Sequence, residues 1–112
     1  MTVPRGGVQV PIYQAKAELF RTLGHPVRIR VLELLQDGPC VVRDLLAEIE
    51  IEASNLSQQL AVLRRVGLVT SSRHDGVVEY QLATPDVVDM LAAGRAVLSA
   101  LPAPEATDPG NH

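Results

Sequence analysis

Residues 54–65 read Ser54-Asn55-Leu56-Ser57-Gln58-Gln59-Leu60-Ala61-Val62-Leu63-Arg64-Arg65. Leu56, Leu60 and Leu63 recur at i, i+4 and i+7, the period of a helix with a single apolar stripe. Ser54 suits the N-cap of that helix, and Gly67 suits the position just past its end. The opposite face carries Ser54, Asn55, Ser57 and Gln58, with Gln59 beside them. Asn and Gln can bond adenine edges in pairs and Ser bonds flexibly, so these side chains suit the reading of base edges in a DNA groove. Arg64 and Arg65 at the far end suit either a phosphate flank or a solvated helix terminus.

The sequence on either side supplies a consistent frame. Upstream, Ile12 to Leu23 forms a helical pattern with Tyr13, Ala17, Phe20 and Leu23 spaced along it. Gly24-His25-Pro26 ends that helix and opens a second one, with Pro26 at its first position and Val27, Ile29, Val31, Leu32, Leu34 and Leu35 giving it an apolar character. Asp37-Gly38-Pro39 stops it, and a third helix is expected from Val41 to Ile49, with Leu45, Leu46 and Ile49 inward. Downstream the period changes to that of strands over Leu68–Arg73 and Val77–Leu82, joined by His74-Asp75-Gly76, a hairpin signal. Thr84-Pro85-Asp86 then caps a fifth helix reaching to about Leu101, with Val87, Leu91, Leu98 and Leu101 on one face and a gap at Gly94. This order of helices followed by a hairpin is that of a winged helix-turn-helix, a mainly α fold of about five helices and a two-stranded wing. Residues 12–101 would form that domain. Residues 1–11 are expected to be a flexible N-terminal arm, and residues 102–112 a disordered tail rich in proline.

Composition limits the alternatives. A chain of 112 residues with 46 % hydrophobic and 21 % charged residues is one ordinary globular domain. Its net charge of −3 counts against a nucleic-acid partner when taken whole. Between Ser54 and His74, however, there are three arginines (Arg64, Arg65, Arg73) and no acid. Acid is concentrated in residues 47–53 and 75–112. Phosphate contacts are screened within roughly 10 Å, so a local basic footprint can operate on an acidic chain. Arg73 and His74 would sit at the wing tip, where His74 is either solvated or a phosphate or minor-groove contact. Arg28, Arg30 and Arg43 could touch backbone, and Arg28 could instead hold the fold by pairing with an acid. Three aromatic residues offer no stacking platform for single strands. No apolar run approaches the roughly 18 residues of a membrane span, and Met1 to Gly7 lacks the apolar core of a secretory signal, so a cytoplasmic setting without membrane attachment is expected.

Three segments in register resemble the ArsR/SmtB family of bacterial repressors. They are Gly24-His25-Pro26-Val27-Arg28-Ile29-Arg30-Val31-Leu32-Glu33-Leu34-Leu35, the stretch from Ala53 to Val69, and the wing from Arg73 to Leu82. The resemblance covers about residues 13–100. It implies a homodimer paired through the first and fifth helices, which would put Tyr13, Phe20, Val87, Leu91, Leu98 and Leu101 at the seam. It also implies repression at an inverted-repeat operator in double-stranded DNA, with one recognition helix per half-site, relieved by a signal. The DNA-binding residues would then be Ser54, Asn55, Ser57, Gln58, Gln59, Arg64, Arg65, Arg73 and His74.

The familiar metal sites of that family are not matched. Its third-helix box falls on Pro39-Cys40-Val41-Val42-Arg43-Asp44-Leu45, with Val41 and Arg43 at the two cysteine positions and Cys40 one residue off. Its fifth-helix site needs His and Glu at the far end, where this chain has Val97-Leu98-Ser99-Ala100. Asp86 and Asp89 are then a first-turn pattern favoured by the helix dipole. No metal or other cofactor is expected, and the inducer is not identified. The lone Cys40 is either a small buried residue or a thiol sensor, and it cannot close an intrachain disulfide. His25 reads as a cap rather than a ligand. A winged helix used only for protein interaction would need an apolar or acidic outer face on residues 54–65. An enzyme would need an activated nucleophile, a phosphate loop or an acid pair, and none is visible.

Overall fold

A computed structural model describes residues 3–5 and 8–102, so the expected tail falls outside the described residues except for Pro102. Five helices and a small sheet follow one another in the expected order. Helix α1 spans Ile12–Leu23 and ends at Gly24. Helix α2 spans Pro26–Leu34, and the His25 Nδ1 accepts the Val27 N–H at 3.2 Å, which makes His25 its cap. One 3-10 turn, Leu35–Asp37, extends α2 to Gly38. Helices α3 (Val42–Glu48), α4 (Ala53–Arg65) and α5 (Asp86–Ala100) complete the set.

The strands differ in detail from the sequence reading. Val3–Arg5 (β1) and Val8–Val10 (β2) pair antiparallel, so this part of the N-terminal arm is extended but also has a partner. Cys40–Val41 forms a short strand, β3, because Cys40 lies opposite Tyr80 and Val41 opposite Glu79; α3 therefore starts one residue later than expected. The wing hairpin, β4 (Val69–His74) and β5 (Val77–Leu82), becomes part of a three-stranded sheet in the order β3-β5-β4. His74 pairs with Val77, which leaves Asp75 and Gly76 as a two-residue turn with φ of 52° and 80°. Positive φ at both central positions is what a type I′ turn demands, and Asp-Gly supplies it cheaply.

One core binds these elements. Val31, Leu32 and Leu35 meet Leu45 and Ile49 of α3 with its C-cap, Leu56, Leu60 and Leu63 of α4, and Leu68 and Val69 at the start of the sheet. Leu23 and Val87 are the buried residues that α1 and α5 contribute. Past Leu91, α5 is exposed along its remaining length. Leu60 is fully buried in the core, and Leu60→Ala is expected to lower unfolding free energy by about 2–5 kcal/mol in urea titration.

Candidate nucleic-acid interface

The burial of Leu56, Leu60 and Leu63 sets the rotation of α4 about its axis. With those leucines inward, Ser54, Ser57, Gln58, Arg64 and Arg65 are exposed along the outer face. The helix begins at Ala53, with Glu52 as N-cap and no side-chain cap bond. Ser54 is therefore not the cap. It lies in the first turn with an exposed side chain, which leaves its hydroxyl available to a ligand.

Gln59 does not join that face. It is 8 % exposed, and its Oε1 accepts the Arg28 Nε–H at 2.8 Å while its Nε2 donates to the Asn55 Oδ1 at 2.9 Å. Its side chain is committed inside the chain, so direct base reading by Gln59 is replaced by a supporting role. Arg28 also donates from Nη1 to the Thr22 carbonyl at 3.0 Å. It thus ties the end of α1 to α4 through an amide and a carbonyl rather than by pairing with an acid. This cross-link spans 31 positions and was not anticipated. The available signal was spacing: Gln59 stands at i+3 from Leu56 and so falls within the buried stripe.

The wing continues the basic surface. Arg73 Nη1 donates to the Gly76 carbonyl at 3.1 Å, which braces the exposed arginine over the turn. His74 Nε2 lies 3.7 Å from Glu79 Oε1, a contact that becomes an ion pair only when the imidazole is protonated. Among the described residues, the ion pairs Arg21–Glu18 and Arg30–Glu33 lie within α1 and α2, and Arg64, Arg65 and Arg73 have no acidic partner. Arg64 and Arg65, and Arg73 apart from the Nη1 bond to Gly76, keep guanidinium donors for an external anion. The outer face of α4 carries no acid and no large apolar side chain from Ser54 to Arg65, unlike what a purely protein-binding winged helix would need.

These features coincide with the comparisons to known proteins. The family model described as bacterial regulatory protein, arsR family, matches residues 25–71, the segment holding α2, α3, α4 and the first half of β4. The HTH-type transcriptional regulator Rv0081 of Mycobacterium tuberculosis is 49 % identical over 90 residues, covering 80 % of this chain and 79 % of that protein. The chain belongs to the ArsR family. Its fold superposes on the Rv0081 crystal structure with a TM-score of 0.75 at 48 % identity, covering 80 % of this chain and 91 % of that one. The biofilm growth-associated repressor of Agrobacterium fabrum is 32 % identical over 99 residues, 85 % of each chain. The repressor BigR of Xylella fastidiosa has a TM-score of 0.67 at 31 % identity, covering 86 % of this chain and 92 % of that structure. This ArsR-family chain is accordingly a transcriptional regulator with a winged helix-turn-helix DNA-binding fold, not an enzyme.

The remaining candidate positions have structural explanations. Among the described residues, no three His, Cys, Asp or Glu side chains come together as a metal site. At the start of α5, the Thr84 Oγ1 accepts the Asp86 N–H and donates to the Asp86 carboxylate, each at 3.2 Å, so Asp86 belongs to a helix-start motif. No helix among the described residues is long and apolar enough to cross a membrane.

Cys40 is half-buried on β3, with its Sγ 3.8 Å from the carbonyls of Leu34 and Gly38. Burial raises the thiol above its ordinary pKa, and the negative charges of Asp44, Asp37 and Glu79 push it the same way. This environment suits a packing residue rather than an activated thiolate. At neutral pH, iodoacetamide is expected to modify Cys40 more slowly in the folded chain than in urea. The difference should narrow as pH rises through the folded thiol's raised pKa, followed by mass spectrometry.

Proposed function

We propose that the chain is a dimeric repressor that binds an inverted-repeat operator, with α4 in the major groove of each half-site and the wing turn against the neighbouring backbone. The observation that carries this reading is the outer face of α4 and the wing. Ser54, Asn55, Ser57 and Gln58 face the base edges, and Arg64, Arg65, Arg73 and His74 flank them toward phosphate. The repressor role is supported by the two similar proteins named as repressors. The signal that releases the operator acts elsewhere than the metal box, where Val41 and Arg43 replace potential ligands.

A second copy of the chain explains α1 and α5. Tyr13 and Phe20 are 69 % and 60 % exposed, and Leu98 and Leu101 are 65 % and 56 % exposed. Large side chains at this exposure on the first and last helices favour a hydrophobic partner surface. Of the six seam positions, Val87 is corrected: at 2 % exposure it fills the chain's own core and has no surface to offer. Leu91 is half-buried against that core and lies at the margin. The seam is therefore Tyr13, Phe20, Leu98 and Leu101.

Gel-shift titration against the chain's own upstream region tests DNA binding. With three arginines in each half-site, the slope of log K against log salt should be about −5, and Arg64→Ala should reduce its magnitude by about 2 in the dimer. Binding that is absent at about 50 mM salt, or independent of salt, contradicts the reading. In sedimentation, the wild type should run at twice the chain mass. Leu98→Asp should run as a monomer with unchanged helical circular dichroism and operator affinity lower by at least about tenfold, since it places a charge in the seam.

A further inference from the structure

The polar chain behind α4 has a direction. Arginine carries donors and no acceptor, so the amide that meets Arg28 Nε must present its oxygen. Gln59 does so at 2.8 Å, which turns its Nε2 toward Asn55. That NH2 group can only donate, so Asn55 must present Oδ1 to it, as it does at 2.9 Å. The oxygen and nitrogen of a planar amide lie on opposite sides, and the Asn55 Nδ2 is therefore the group left facing away from Gln59. Among the described residues it has no partner within the chain, and it is not a buried orphan. The anchor is firm as well, because Arg28 is held by the Thr22 carbonyl and Gln59 is almost wholly buried.

We propose that Arg28, acting through Gln59, locks Asn55 as a hydrogen-bond donor toward DNA, so that Asn55 selects a base with an acceptor on its major-groove edge, rejects cytosine, and gives up the paired bonds to adenine. Arg28 and Gln59 are positioning residues, and Asn55 is the specificity residue. The inference rests on the DNA-binding reading above and adds the chemical class of base recognised. In the major groove the acceptors are guanine O6 and N7, thymine O4 and adenine N7, whereas the amino donors are adenine N6 and cytosine N4, so cytosine alone has no acceptor for Asn55. An asparagine free to swing could offer both atoms to adenine; one whose oxygen is held inward cannot.

The relay can be inverted without removing it. In Gln59→Glu, both carboxylate oxygens accept. One takes the Arg28 guanidinium as an ion pair, and the other forces Asn55 to turn its Nδ2 inward and its Oδ1 outward. Selection from a randomised operator library, using full-length wild type and variants, reads the consequence. Asn55→Ala identifies the operator position concerned, because discrimination there should fall by about tenfold. Wild type should deplete cytosine at that position on the contacted strand, and Gln59→Glu should deplete guanine and thymine there and enrich adenine or cytosine. Loss of packing alone would relax a preference, not reverse it. Thermal unfolding of Gln59→Glu checks its fold. Should that variant unfold, Asn55→Asp, at a half-buried position, presents acceptors only and should likewise move the preference to adenine or cytosine. The inference is overturned if wild type enriches cytosine there, if the folded variant keeps the wild-type preference, or if Asn55→Ala relaxes no position. Failure of the wild type to enrich any sequence overturns the DNA-binding reading and this inference together. Enrichment without inversion overturns the inference alone.

Discussion

The leucine stripe of α4 decides which surface this protein shows to DNA. Leu56, Leu60 and Leu63 are driven into one core with α2, α3 and the base of the sheet, at a gain of roughly 1.5–3 kcal/mol for each large side chain buried. Successive helical residues are turned about 100° from one another, so a slip of one position would expose leucine and bury arginine. Hydrophobic burial thus fixes the orientation of the polar face without any DNA being present. Gln59, the one polar residue in the buried stripe, is satisfied by Arg28 and Asn55 and adds a directional tie to the non-directional packing. A buried amide with incomplete partners would cost stability, so the tie is also a requirement of the fold.

Electrostatics act at a shorter range than the whole-chain charge suggests. The chain is acidic in total, yet three arginines with no acidic partner among the described residues border the outer face of α4 and the wing. Acidic residues nearest to that surface in sequence lie at its edges, as Glu52 before α4 and Asp75 in the wing turn. The tight Asp-Gly turn and its bond from Arg73 hold the wing charge in place. Over a screening length of roughly 8–10 Å, that arrangement matters more to a phosphate than the net charge of the whole chain.

Much of this architecture was legible in sequence because it rests on local rules. Helical period, Pro26 at a first turn, Gly67 after α4 and Asp-Gly between two strand patterns each act over a few residues, and the corresponding elements lie where those rules place them. Small departures have non-local causes. Strand β3 exists because Cys40 and Val41 find β5 as a partner nearly forty residues away, and α4 starts before Ser54 because a helix can begin at Ala53 without a side-chain cap. The seam illustrates the same limit. The apolar spacing on α5 groups Val87 with Leu98, but the helix leaves the core partway along, so one is buried and the other exposed.

By itself, the sequence determined the order of elements, the apolar stripe of α4, the basic segment from Ser54 to His74 and the family likeness carried by three motifs. Each is encoded in neighbouring residues. Only the tertiary structure decided that Gln59 turns inward, that Arg28 bonds an amide and a carbonyl instead of an acid, and that Asn55 has its oxygen engaged. Arg28 and Gln59 meet because α2 and α4 pack on the same core. The polarity of their hydrogen bonds then follows from arginine having only donors, a consequence that spacing along the chain does not contain.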